Sequence, residues 1–468
     1  MKKIVVIGAG PGGYVAAIRG AQLGADVTLI ERDQVGGTCL NRGCIPTKTY
    51  FKTAELMREM KRKEEFAVVG SEDFKVDGKK LQERKKNVVS TLVGGIEQLI
   101  GAYSNINFLR GDATIVDKNT VKVKLNEGGE ETVPADAIVI ATGSSPTMTE
   151  TTGVDTEGVI TSDELLELEE IPETLIVVGA GVIGLEFASI YQELGSHVIM
   201  LASRVLKEGD QEIQRRLVPL LKKQGIEFYN NIRAREISKE NGKLKVIAKY
   251  KEKDAEEVVY GDYCLIASGR GPVYDSLNLE GLGVETNHAG IVVDENFKTN
   301  VDGIYAIGDV NGGVQLAHVA SAQGEWVMEH IMGEEHIFNM DVYPNCVFTM
   351  NEVAHVGERE QDLKEKGVEY VVSKFNFAAN GKSLSIGESD GLVKLIAAPD
   401  GKLLGAHILG PHANDLISEC TTAIANGANT KDIMKAIHAH PTLSETILEA
   451  AAGIFDEAIH IAPPKKRK

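Results

Sequence analysis

No apolar run in these 468 residues approaches the roughly 18 residues that cross a bilayer. Positive charge is in deficit: 50 Lys and Arg face 68 Asp and Glu, leaving a net charge of −18. That balance argues against a nucleic-acid partner and for a non-aggregating enzyme. Cysteine is scarce. The five, at positions 39, 44, 264, 346 and 420, form no even disulfide framework. A reducing, cytoplasmic setting is expected, in which a disulfide would be chemical rather than structural. A signal peptide is not expected either. Met1-Lys2-Lys3 precedes an apolar stretch, but glycines at 8, 10, 12 and 13 interrupt it without a cleavage pattern. What remains, 43% hydrophobic and 25% charged residues, is ordinary for a globular protein of two to four domains.

The glycines carry the first positive signal. Residues 3–7 read as a short buried strand, followed by Gly8-Ala9-Gly10-Pro11-Gly12-Gly13, a helix to about Leu23, and a strand over 26–30 that ends at Glu31. In this strand–turn–helix setting Gly8 makes the tight turn, Gly10 admits a pyrophosphate, and Gly13 packs helix on strand. Free N–H groups at the helix start would bind the phosphates, and Glu31 would accept ribose hydroxyls. The unit recurs 171 residues later. Leu175-Ile176-Val177-Val178 leads into Gly179, Gly181 and Gly184, a helix to about Leu194, and a strand over 197–201. Two such modules imply two dinucleotides. The offset exposes one departure: Glu31 maps to Ala202, followed by Ser203 and Arg204. Either NAD binds there without the carboxylate, or the change admits or favours NADP.

Between Gly36 and Lys48 stand two cysteines, in the string GGTCLNRGCIPTK. On a regular helix Cys39 and Cys44 would sit about 7.5 Å apart along the axis, beyond the usual disulfide span of roughly 4.4–6.8 Å. A bond would need a distorted turn, which Gly43 and Pro46 make plausible, and strain makes a disulfide easier to reduce. Spacing alone leaves three readings: a redox pair, two small buried residues, or half of a metal clip that lacks its second pair.

The whole string closely resembles the redox-active disulfide segment of the flavoprotein disulfide reductases, and most of all their dihydrolipoamide dehydrogenase branch. Other segments carry the resemblance onward in order. Ala141-Thr142-Gly143 and Ala267-Ser268-Gly269-Arg270-Gly271-Pro272 are similar to the family's A-T-G and A-x-G-R-x-P turns, where the chain passes between domains. Residues 301–311, ending at Gly308-Asp309, resemble its second flavin-contacting segment. Leu316-Ala317-His318 then opens a helix whose dipole would steady a negatively charged flavin. The stretch from about Tyr343, with strands over 368–377, 391–398 and 403–409 and helices over 413–425 and 430–436, resembles its interface domain. His438-Ala439-His440-Pro441-Thr442-Leu443-Ser444-Glu445 lies near its end.

The resemblance implies an α/β fold of two Rossmann-like dinucleotide-binding domains plus an α+β C-terminal dimerisation domain. Its divisions are residues 1–146 and 272–342 for FAD, 147–271 for NAD or NADP, and 343–468 for the interface. It also implies roles. Cys39 meets substrate and Cys44 lies against the flavin. Lys48 stands near the flavin, and Glu186 is its acidic partner where nicotinamide docks. His440 is the acid/base and Glu445 its orienting carboxylate. Gly8, Gly10, Gly13, Glu31, Lys48, Thr142, Gly143, Asp309, Ala317 and His318 would serve FAD. Gly179, Gly181, Gly184, Glu186, Ala202, Ser203, Arg204 and Gly269 would serve NAD or NADP. No metal is expected, and Cys264 reads as plain core. In this family the histidine reaches the other subunit's disulfide, so an obligate homodimer follows. No lipoyl domain precedes Met1, so the lipoyl arm is expected from another protein, of a 2-oxoacid dehydrogenase or glycine-cleavage system. A glutathione-reductase type of activity and a non-enzymatic scaffold are the alternatives. The basic tail 463–468 reads as a solvated terminus rather than a targeting signal.

Overall fold

The strand Lys3–Ile7 is buried from Ile4 onward, as a central parallel strand must be when helices cover both faces of its sheet. It pairs in parallel with Asp26–Glu31 on one side and Ala137–Ile140 on the other. The seven-stranded sheet extends past Ala137–Ile140 to Ile304–Ala306, and past Asp26–Glu31 to Ile106–Asp117. Ile106–Asp117 then folds back through two antiparallel strands, Thr120–Leu125 and Glu130–Pro134. The computed structural model describes residues 1–70 and 73–462. The basic tail 463–468 lies outside the described residues.

A second, all-parallel sheet is built on Thr174–Ala180. It is flanked by His197–Val205 and Tyr263–Ile266, with Glu227–Asn230 and Val159–Ile160 at the edges. The 171-residue offset survives in the register. Ile7 pairs with Ile30 and Ile140 in the first sheet; Val178 pairs with Leu201 and Ile266 in the second. Ala202 therefore occupies the place of Glu31. The second strand of this module runs longer than the expected 197–201. It continues through a register shift to pair Val205 with Ala180, which leaves Ser203 and Arg204 in the irregular stretch between the paired Ala202 and Val205. Cys264 is fully buried in its strand, and burial pushes its thiol up to about 12.

The two turns expected to pass between the halves meet each other. Ser144–Pro146 and Arg270–Pro272 form an antiparallel ribbon, and Thr142 Oγ1 donates to the Val273 carbonyl at 2.5 Å. The C-terminal part is a five-stranded antiparallel sheet in the order Asn345–Val347, Glu352–Gly357, Leu403–Gly410, Leu392–Ala397, Val371–Asn376. It carries the helices Ala413–Ala425, Thr430–Lys435 and Glu445–Gly453. A buried ammonium ties it to the second module. Lys394, fully enclosed, meets Asp210 at 2.9 Å and Glu360 at 2.5 Å. Removing one partner of such a pair costs about 3–5 kcal/mol, because the remaining charge is buried alone.

Candidate active site

Gly43 interrupts what would otherwise be one helix. With φ −138° and ψ −115° it separates Gly37–Arg42 from Cys44–Lys61. A side chain there would meet the Thr38 carbonyl oxygen at 2.9 Å, so the break is tight. Asn41 donates to the carbonyls of Val35 and Gly37 and holds the short helix in place. Cys39 and Cys44 thus end up in different helices with their sulfurs facing. Both are free thiols in this structure, and the Cys39 thiol donates to Cys44. That bond divides their acidities. It holds the Cys44 thiol down, to about 7, with help from Lys48 against the cost of burial. It pushes Cys39 far up, with burial acting in the same direction. When the reduced pair loses one proton, the negative charge therefore rests on Cys44 and the remaining proton on Cys39.

One turn beyond Cys44, Lys48 crosses to the second module. Its ammonium meets both oxygens of Glu186, at 2.8 and 3.0 Å, and lies 4.3 Å over the Phe348 ring. Glu186, on the helix Val182–Leu194, also accepts the Phe348 N–H at 3.0 Å. A single ion pair thus joins the cysteine helix, the second module and the C-terminal sheet.

These groups line a cavity of about 1250 Å³ that spans both modules. Its two ends are built alike. A side chain on Gly13 would meet the Gly8 carbonyl oxygen at 1.8 Å, and one on Gly184 the Gly179 oxygen at 2.1 Å, so each helix can lie against its strand only with glycine there. Gly8 and Gly179 themselves adopt φ of +101° and +112°, a region open mainly to glycine. Gly10 and Gly181 are the opposite: at 3.9 Å or more from any neighbour, each leaves open room. The helices Pro11–Gln22 and Val182–Leu194 begin there without a side-chain cap, leaving N–H donors for an anion. The residues present therefore fit a dinucleotide in each module.

Most of the residues expected at the site line this cavity, among them Glu31, Thr142, Gly143, Asp309, Ala317, His318, Ser203, Arg204 and Gly269. Glu31, buried, accepts the N–H of Ala9 at 2.6 Å and of Asp33 at 2.8 Å. Asp309 accepts from Ser144 Oγ at 2.5 Å, and Arg270 Nε donates to that same hydroxyl at 2.8 Å. His318 gives its Nε2 hydrogen to the Pro344 carbonyl, and burial lowers its basicity. Gly13, Gly184 and the buried Ala202 lie behind the lining.

His440 and Glu445 are not brought there. His440 Nδ1 lies 2.9 Å from Glu445 Oε1, and the other carboxylate oxygen accepts the Thr442 N–H at 2.8 Å. Burial alone would raise Glu445, but these two bonds outweigh it and hold it ionised below the usual carboxylate range. A carboxylate can only accept, so the imidazole keeps its hydrogen on Nδ1 and leaves Nε2 as a base. The ring is 79% exposed on its own chain. His438 turns elsewhere, to Glu419 at 3.0 Å. Sequence reasoning missed Lys207, Arg233, Cys346 and Phe348, which also line the cavity. They come from segments with no glycine signature, so only the fold reveals them.

The chain matches known proteins over nearly its whole length. Residues 2–324 match the model described as pyridine nucleotide-disulphide oxidoreductase, and residues 343–451 match the dimerisation domain of the same family. The chain is 39% identical over 463 residues to a mitochondrial dihydrolipoyl dehydrogenase of Pisum sativum, covering 98% of this chain and 92% of the relative. It is 40% identical over 462 residues to a dihydrolipoyl dehydrogenase of Bacillus subtilis, covering 98% and 97%. Among solved structures, LpdA from Mycobacterium tuberculosis superposes with a TM-score of 0.89 at 27% identity, covering 97% of this chain and all of that one. The HOCl-induced flavoprotein disulfide reductase RclA from Escherichia coli superposes with a TM-score of 0.85 at 28% identity, covering 96% and 99%. The paired thiols, the two nucleotide cradles and these matches together make the chain a member of the pyridine nucleotide-disulphide oxidoreductase family, an FAD-dependent enzyme that works with NAD(P) and carries the family's dimerisation domain.

Proposed function

We propose that this enzyme is a dihydrolipoamide dehydrogenase, oxidising dihydrolipoyl groups presented by another protein. The observation that carries the reading is the thiol pair at the junction of two dinucleotide cradles, with its charge on Cys44 and its proton on Cys39. Two relatives that bear this name, 39% and 40% identical, cover nearly the whole chain.

In the oxidised enzyme, one dihydrolipoyl thiolate attacks the Cys39 sulfur. The Cys39–Cys44 bond breaks and Cys44 leaves as a thiolate, which Lys48 steadies. The second lipoyl thiol loses its proton to Nε2 of the acid/base histidine and attacks the lipoyl sulfur of the mixed disulfide. Cys39 departs and receives that proton. The lipoyl group, entering as thiolate and thiol, has lost two electrons and one proton, its other proton having gone to solvent when the thiolate formed, and the enzyme disulfide has gained the electron pair. FAD, when bound, would supply the two-electron chemistry that links this dithiol to NAD or NADP. Glu31 and the helix start at Gly10 would hold FAD, and the helix start at Gly181 would hold the nicotinamide dinucleotide.

The exposure of His440, away from its own thiols, supports a site completed by His440 of the partner subunit in a homodimer. Glu445 would orient that ring and stabilise the imidazolium. By the same reading residues 1–146 and 272–342 form the FAD unit, 147–271 the NAD(P) unit and 343–468 the interface unit.

The test is turnover of purified holoenzyme with dihydrolipoamide, against oxidised glutathione plus NADPH as the competing reaction. Dihydrolipoamide should be the substrate by several orders of magnitude, and Cys44→Ser should abolish that turnover while the flavin stays bound. Turnover confined to glutathione, or an active Cys44→Ser enzyme, would overturn the reading.

A further inference from the structure

Where the first module places a carboxylate, the second places cations. Ala202, in register with Glu31, is fully buried and offers no polar atom. Beyond it the cavity wall is Ser203, Arg204, Lys207 and Arg233. Ser203 and Arg204 come from the prolonged strand His197–Val205, Lys207 from the loop after it, and Arg233 from the start of Ile232–Glu240. Four side chains from three segments thus converge on the corner that a ribose 2′ position would occupy by analogy with Glu31.

The two guanidiniums are uncommitted. Among the described residues neither Arg204 nor Arg233 makes an ion pair or a side-chain hydrogen bond, in a protein of net charge −18. Lys251, whose ammonium donates to the Ser203 carbonyl at 3.3 Å, feels both: loss of hydration lowers its basicity, and Arg233 and Arg204 lower it further. The nearby carboxylates do not neutralise the cluster. Glu208, exposed, is shared between Lys207 at 3.6 Å and Arg359 at 3.5 Å, and Glu252 sits by Lys251. Arg204 and Arg233, without an ion pair among the described residues, are repelled by the cations beside them, and a dianionic phosphate would relieve that cost.

We propose that Arg204 and Arg233, with Ser203 and Lys207, form a binding site for a 2′-phosphate, so that the second module takes NADP in preference to NAD. This deepens the nicotinamide half of the proposed function and leaves the dihydrolipoyl half untouched. Arg204 supplies a fork on the strand side and Arg233 one across the cleft. Ser203 adds a hydroxyl donor, and Ala202 removes the carboxylate that would repel the phosphate.

The experiment is calorimetric titration of FAD-loaded enzyme with 2′,5′-ADP and, separately, with 5′-ADP, which lacks the 2′-phosphate. Bound FAD blocks the first module from the probes. The site predicts that 2′,5′-ADP binds at least ~10-fold more tightly at low salt, with the advantage shrinking as salt rises. Arg204→Ala with Arg233→Ala should bring the two probes to nearly equal affinity, with 2′,5′-ADP losing far more than 5′-ADP. Both residues are exposed, so the double variant should fold, and retention of the flavin spectrum checks this. Equal binding of the two probes by the unaltered enzyme would overturn the proposal, as would an advantage that survives the double variant. The readout involves no lipoyl substrate, so a failed dihydrolipoamide assay with intact 2′,5′-ADP preference would sink the substrate reading alone.

Discussion

The two nucleotide modules share a blueprint to the level of register, yet they differ at the end of the second strand, where Glu31 is matched by Ala202. In the first, Glu31 ends its strand and accepts two backbone N–H groups from the glycine loop and the following turn. In the second, Ala202 makes no such bond, and the strand runs on into a basic corner. The parts that agree, Gly8 with Gly179 and Gly13 with Gly184, are those where a side chain would collide with backbone. The parts that differ face the ligand. Packing fixes the scaffold, and the ligand's chemistry fixes the residues aimed at it. Only the first module carries the cysteine helix, and the ion pairs Lys48–Glu186 and Lys61–Glu193 tie that helix to the second.

The largest expected effect separates the modules outright. Gly13→Ala pushes a methyl group into the Gly8 carbonyl and should yield protein without bound flavin. Gly184→Ala should retain flavin absorbance while NAD(P) binding falls at least ~10-fold, given that overpacking costs about 1–3 kcal/mol. Flavin stoichiometry and nicotinamide titration on both variants read this directly. Loss of flavin from Gly184→Ala with retention in Gly13→Ala would reverse the assignment.

Next is the dyad that neither module holds. His440→Ala should lower dihydrolipoamide turnover by roughly 10²–10⁴-fold, the range of a lost acid–base group. The loss should be worst at low pH, where little lipoyl thiolate forms unaided. Mixing it with Cys44→Ser protomers should restore activity, because the mixed dimer assembles one intact site from two broken chains. Absence of any rescue after verified subunit exchange would place the histidine's action within one chain.

The smallest effect concerns the bridge between the modules. Lys48 favours the Cys44 thiolate, so removing its charge makes the thiolate costlier and raises the pKa above about 7. The nearby Glu186 acts in that same direction. In Lys48→Met the alkylation rate of reduced Cys44 should be a few-fold slower at pH 7 and approach the unaltered enzyme's rate at alkaline pH. An unchanged pH profile would remove Lys48 from the account of the thiolate.

Much of the fold was legible in the sequence because its constraints are local. Glycines at fixed spacing, apolar strands and an acidic strand end define each module within some thirty residues, and the 171-residue repeat doubles the signal. Three of the five C-terminal strands and the helices over 413–425 and 430–436 were legible from the sequence, whereas Asn345–Val347, Glu352–Gly357 and the helix Glu445–Gly453 were not read. The basic corner was only half legible. Ser203 and Arg204 follow from the repeat, whereas Arg233 arrives from a different strand through tertiary folding alone. The division of charge between Cys39 and Cys44 was not legible either. It depends on the break at Gly43 and on which sulfur faces Lys48, and neither is encoded in spacing. That His440 would stand apart from its own chain's cysteines followed from the resemblance, which has the histidine reach the other subunit's disulfide, and not from spacing.

The most direct test of the central claim follows the two sulfurs through a cycle. Anaerobic holoenzyme is alkylated with iodoacetamide as isolated, after stoichiometric dihydrolipoamide, and after subsequent NAD(P)⁺, with sites located by mass spectrometry. The account predicts that Cys39 and Cys44 are protected in the oxidised enzyme, labelled after dihydrolipoamide and protected again after NAD(P)⁺, while the buried Cys264 and Cys420 stay unlabelled throughout. Labelling of Cys39 and Cys44 that is the same at all three stages would contradict a dithiol–disulfide cycle.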